Sequence, residues 1–80
     1  MRVNSIKIYE ALTCIGLRIK KRRLKKELTQ KELAKLAGIA ETTLVGIEKG
    51  KVKPTQFVLY KLSRAFEITI DELVYKDVYL

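Results

Sequence analysis

The stretch Thr29–Gly50, TQKELAKLAGIAETTLVGIEKG, decides how this chain folds. Thr29 precedes an apolar-periodic run and Glu32 stands three residues later, the signature of a capping box. In such a box the threonine hydroxyl accepts from the glutamate amide, and the carboxylate accepts from the threonine amide. Leu33, Leu36 and Ala37 recur at helical spacing and predict one inward face. Gly38 follows, where a helix end needs a residue that tolerates positive φ. After Ile39-Ala40 a second helix can begin, turning Leu44 and Ile47 inward and ending at Gly50 in the same manner. Ala34 is small enough to let the second helix cross the first closely. Two short helices joined by a three-residue turn containing glycine make a helix-turn-helix unit.

Outside that stretch the chain is short and basic. Its 80 residues make one domain, and a chain of this size buries only about 60–65% of its unfolded surface. A small helical bundle satisfies that constraint, and a dimer interface would add to its stability. The net charge is +8 and is unevenly spread: Met1–Phe66 holds 16 Lys/Arg against 5 acids, and the remainder 1 against 4. A basic body with a mildly acidic end fits a phosphate-facing surface and a remote, non-binding terminus. No apolar run reaches the length of a membrane span, and the N-terminus lacks a secretory signal pattern. Cys14 is alone, which excludes an intrachain disulfide and points to a reducing cytoplasm.

Met1–Thr13 reads two ways. Val3–Ile8 fits a short strand, whereas Ile8, Leu12, Ile15 and Ile19 would form one continuous helical face. Cys14 is expected in or beside the core, since a free cysteine behaves as a small hydrophobe. Ile15 to about Glu27 predicts a first helix with Ile19 inward and dense positive charge at Lys20, Lys21, Arg22, Lys25 and Lys26. Like charges at i,i+4 repel by a few tenths of a kcal/mol per pair, roughly, which a polyanion would relieve. Lys51-Val52-Lys53-Pro54 predicts a basic loop, because Pro54 cannot continue a helix. Thr55 then caps a fourth helix with Leu59, Leu62 and Phe66 inward, and Thr69-Ile70-Asp71-Glu72 is a second capping box opening a short fifth helix through Val74. Tyr75–Leu80 alternates apolar with polar residues and fits a strand, a docking tail or a dimer contact.

Gln30, Leu33-Ala34, Gly38-Ile39, Leu44, Ile47-Glu48 and Gly50 stand in one register, with Ile15-Gly16, Ile19 and Arg23 upstream and Pro54-Thr55, Leu62, Ala65-Phe66 and Ile68–Leu73 downstream. In these positions the chain resembles the DNA-binding domain of lambdoid phage repressors and Cro proteins, the Cro/C1-type (xenobiotic-response-element) helix-turn-helix family. The resemblance implies an all-α, compact five-helix domain over 15–74, flanked by an N-terminal extension, 1–14, and a tail, 75–80. It implies an ion pair between Arg23 and Glu48 that fixes the angle of the recognition helix. That helix, about 41–49, would lie in the major groove of double-stranded DNA. Base-reading positions correspond to Glu41, Thr42 and Gly46, with Val45 nearby. Phosphate contacts are expected from Gln30, Lys21, Arg22, Arg23, Thr43, Lys49, Lys51 and Lys53. The set is unusual, because arginine, asparagine and glutamine make the strong bidentate base contacts and none stands on this helix. Ala40 likewise replaces the family's usual Ser or Thr cap.

The function implied is a sequence-selective transcriptional regulator, foremost a repressor, acting as a homodimer without a cofactor, membrane or small-molecule substrate. An antitoxin, a restriction-controller protein, or an interaction module that has lost DNA binding would use the same scaffold. An enzyme is disfavoured: the chain has no histidine, and its single cysteine has no histidine partner.

Overall fold

Four helices of this chain end by the same local device. In the computed structural model, which describes residues 15–76, α1 is helical over 15–25, followed by α2 (Gln30–Ala37), α3 (Glu41–Glu48), α4 (Gln56–Phe66) and α5 (Ile70–Tyr75). Each of the first four stops at a residue in the left-handed region: Glu27 (φ 58°), Gly38 (φ 74°), Gly50 (φ 73°) and Glu67 (φ 59°). The amide of that residue reaches back three positions and the next amide five, as in Leu28 N to Arg23 O (3.1 Å), Ile39 N to Ala34 O (3.0 Å), Lys51 N to Gly46 O (2.9 Å) and Ile68 N to Ser63 O (3.0 Å). These paired bonds are the Schellman arrangement, and they satisfy carbonyls the helix leaves open. Glycine supplies two of the turns. Two glutamates supply the others against an intrinsic cost of about 1–2 kcal/mol. In both, the following aliphatic residue, Leu28 or Ile68, packs back on the core.

Three helix starts are capped as expected. Thr29 and Thr69 form capping boxes with Glu32 and Glu72, and the Thr55 hydroxyl accepts from Val58 N at 3.1 Å. α3 differs: its N-cap is Ala40, which makes no side-chain bond to the first turn. Lys49 still has helical geometry (φ −83°), so the turn expected at Gly50 follows one residue beyond the cap.

The core takes residues from all five helices: Ile19, Leu33, Ala34, Leu44, Ile47, Leu62, Phe66 and Leu73. α2 departs from its expected face. Leu33 and Ala34 are buried and Ala37 half-buried, whereas Leu36 is 60% exposed. On a helix, positions 33, 34 and 37 share one arc and position 36 falls on its flank, so the neighbours of α2 select that arc. Gly16 sets the approach of α1 to α3, since a Cβ there would overlap the Ile47 carbonyl oxygen. Tyr75 belongs to α5, one residue past the expected end. The readings of 1–14, including Cys14, and of 77–80 lie outside the described residues. No helix among those described is long and apolar enough to cross a membrane.

Candidate nucleic-acid interface

α3 is divided by its own periodicity. Leu44 and Ile47 have no exposed surface, while Glu41, Thr42 and Lys49 are exposed and Thr43, Val45 and Gly46 are half-buried. The outward side is concave. Glu41, Thr42, Val45, Gly46, Lys49 and Lys51 line one open hollow of about 380 Å³. All four residues expected to read bases are thus brought together, with two of the expected phosphate contacts on the rim. No sequence signal announces the hollow itself. It depends on the loop after α3 folding back, with Lys51 N and Val52 N both donating to Gly46 O at 2.9 and 3.2 Å. Val52 then lies against Gly46 so closely that a Cβ at that position would stand 2.5 Å from Val52 Cγ2. Gly46 therefore works as a docking point for the loop, a role that its lack of a side chain permits.

Beneath α3 lies a buried polar cluster. Arg23 Nε donates to Glu48 Oε2 at 2.8 Å and Nη2 to Glu48 Oε1 at 3.1 Å, with both residues 7% exposed. This bidentate fork joins α1 to the last turn of α3. Arg23 Nη1 also donates to Leu28 O at 2.9 Å, tying in the α1–α2 connection. Gln30 completes the cluster, its Nε2 donating to Glu48 Oε1 at 3.0 Å. Glu48 thus anchors α3 to two other helices through charge-assisted bonds. The Gln30 contact was not readable from sequence, because it depends on how α2 crosses α3.

The remaining cations divide. Lys21, Lys49, Lys51 and Lys53 are exposed. Lys53 lines a separate depression with Ile15, Pro54, Thr55, Gln56 and Leu59. Arg22 is directed to α5, where Nη2 donates to Glu72 O at 3.3 Å, and Arg18 Nη1 donates nearby to Val74 O at 2.8 Å. A cation at the carbonyl end of a short helix is favourably placed. Arg22 therefore joins α1 to α5 in this structure. A larger groove of about 890 Å³ between α2 and α4, with Leu36, Phe57 and Tyr60 in its lining, holds none of the expected contact residues. Among the described residues no cluster of His, Cys, Asp or Glu could hold a metal ion.

The sequence model of the helix-turn-helix family matches residues 19–73. Two uncharacterized HTH-type transcriptional regulators of Archaeoglobus fulgidus are each 42% identical over 60 residues, which is 75% of this chain and 84% and 86% of theirs. Among solved structures, the restriction-modification controller protein C.AhdI from Aeromonas hydrophila is similar with a TM-score of 0.75 and 32% identity, over 78% of this chain and 94% of that one.

Proposed function

Because the chain belongs to the helix-turn-helix family, we propose that it is a transcriptional regulator that binds double-stranded DNA sequence-selectively, with α3 in the major groove. One observation carries the reading. α3 is fixed from behind by Leu44, Ile47 and the Arg23–Glu48–Gln30 cluster, while its opposite side offers a concave surface rimmed by lysines. Glu41, Thr42 and Val45 face base edges. Gly46 contributes by admitting Val52 and so fixing the loop that carries Lys51 and Lys53. Lys21, Lys49, Lys51 and Lys53 meet phosphates, and Thr43 and Gln30 bond them at the edges of the site. Arg23 adds a contact through the N–H donors left beyond its three bonds, since a guanidinium carries five.

The protein acts as a homodimeric repressor, excluding other proteins from the DNA it occupies and using no catalysis. Selection from randomised duplex DNA, followed by binding measurements over a range of salt, tests this. Two half-sites about 34 Å apart are expected for a dimer. The log–log salt slope should be about −0.9 for each phosphate neutralised, so six contacts would lower affinity by about a thousandfold between 50 and 200 mM salt. Salt-insensitive association, or no binding at low salt, would sink the reading. The likeness to C.AhdI favours a second, narrower role as the controller of a restriction-modification system. A nuclease or methyltransferase reading frame beside the gene would support it.

A further inference from the structure

Resting on that reading, we infer that the hollow on α3 is a socket for the C5-methyl group of a pyrimidine. The side chains present set the chemistry. With no arginine, asparagine or glutamine on α3, the paired contacts that these side chains make to guanine and adenine are missing from the helix. Glu41, when ionised, only accepts hydrogen bonds. It faces repulsion from the N7 and O6 acceptors of guanine and finds a partner in the N4 amino group of cytosine. Val45, one turn further along, offers only methyl groups.

The backbone sets the shape. Gly46 admits Val52 against the helix, and the loop amides of Lys51 and Val52 are bonded to the Gly46 carbonyl, so the wall of the hollow is pinned to the helix. The half-buried Val45 supplies the apolar part of the hollow's floor. Glu41 stands on the same hollow as an acceptor, and Thr42, Lys49 and Lys51 stand on it as donors. Thymine presents a C5-methyl beside an O4 acceptor, which the Thr42 hydroxyl can meet. A 5-methylcytosine presents the same methyl beside its N4 donor, which Glu41 can meet. The recognised group is common to both, and the bases differ only in which rim residue they engage.

The experiment uses the full chain and the duplex recovered by selection. Each thymine is replaced singly by uracil, which removes only the methyl, and each cytosine singly by 5-methylcytosine. One thymine per half-site should weaken binding about fourfold on losing its methyl, the factor for one buried methyl group. Val45→Ser and Val45→Asn, which leave no methyl group at this position, should both abolish that thymine-to-uracil ratio. The second variant keeps a side chain of similar size and decides the matter if the first does not fold. A fourfold gain from 5-methylcytosine with no uracil effect supports the socket and names the other base as its source. Selective binding that is indifferent to every methyl, or a ratio unchanged in both variants, overturns the socket while leaving the regulator intact. Failure to select any duplex overturns the DNA-binding reading and the socket with it.

Discussion

The junctions that enter α2 and α5 and the junction that enters α3 share a backbone and differ in chemistry. Glu27-Leu28-Thr29 and Glu67-Ile68-Thr69 each run from a left-handed residue through a core-packed aliphatic to a threonine cap, and a glutamate three residues on closes the capping box. Gly38-Ile39-Ala40 follows the same path, with Ile39 packed on the core, but Ala40 offers no cap. α3 itself holds Thr42, Thr43, Val45 and Gly46, together about 3 kcal/mol less favourable in a helix than alanine. Burying Leu44 and Ile47 contributes about 1.5–3 kcal/mol each, enough to outweigh that deficit. The helices that support the site are specified by neighbours in sequence. The helix that reads is held by neighbours in space, which leaves its outward side chains free to answer to a ligand.

The sharpest way to break this contrast is to remove what holds α3. Glu48→Ala leaves the Arg23 guanidinium buried without its partner and removes the acceptor of Gln30. Losing one member of a buried pair costs about 3–5 kcal/mol. A domain of this size has about 5–10 kcal/mol in total, so the variant should sit close to its unfolding transition in chemical denaturation at pH 7. Replacing both partners, Arg23→Met with Glu48→Leu, should recover most of the stability, because an apolar pair avoids the desolvation of two charges. DNA affinity should not return with it, since Gln30 loses the bond that positions it. A loss under about 1 kcal/mol for Glu48→Ala would mean that the cluster does not hold α3.

How legible each region was follows from the same difference. Thr29, Thr55, Thr69 and Gly38 could be placed from sequence because a cap or a left-handed turn is decided within about four residues. Most of the core was legible from periodicity. Leu36 was not, because periodicity gives an arc and packing chooses which edge of it is covered. At the site, the outward residues of α3 could be named. The hollow could not, since it needs Val52 to return onto Gly46. Arg22 looked like one more cation in a run, and only the approach of α5 gives it the Glu72 carbonyl. The left-handed glutamates carried a readable signal after all: an aliphatic residue followed at once by a capping threonine.

Exchanging cap chemistry between junctions sharpens the comparison with a smaller effect. Thr29→Ala should cost about 1 kcal/mol, because the Glu32 amide loses its acceptor at 3.0 Å. Ala40→Ser should act in the opposite direction and stabilise by about 0.5–1 kcal/mol, since α3 gains a bond that it lacks. Thermal or urea midpoints of the two single variants and their combination measure both. The changes should add, because each bond is made within its own first turn. If Ala40→Ser gives no gain, the first turn of α3 already has its amides satisfied and the contrast between junctions weakens.

The smallest effect separates the junctions by pH. Glu32 is fully exposed, yet its carboxyl is held below its ordinary value of 4.5, first by the Thr29 amide and then by the Thr29 hydroxyl. Its folded pKa is thus lower than its unfolded one. Its contribution is therefore present in full above about pH 4.5 and is lost as pH falls through the folded value. Protonation removes the charge that the Thr29 amide binds at 2.8 Å, so the start of α2 should loosen in acid. The start of α3 has no side-chain cap to protonate. Amide exchange followed from pH 6 to pH 3, corrected for the intrinsic rate, should show protection falling in the first turn of α2 before it changes in α3. Glu32→Gln should remove the pH dependence of α2 while leaving the Thr29 hydroxyl bond to the residue 32 amide. Parallel loss of protection in both helices would instead indicate global acid unfolding, and the capping box would then carry no separate signature.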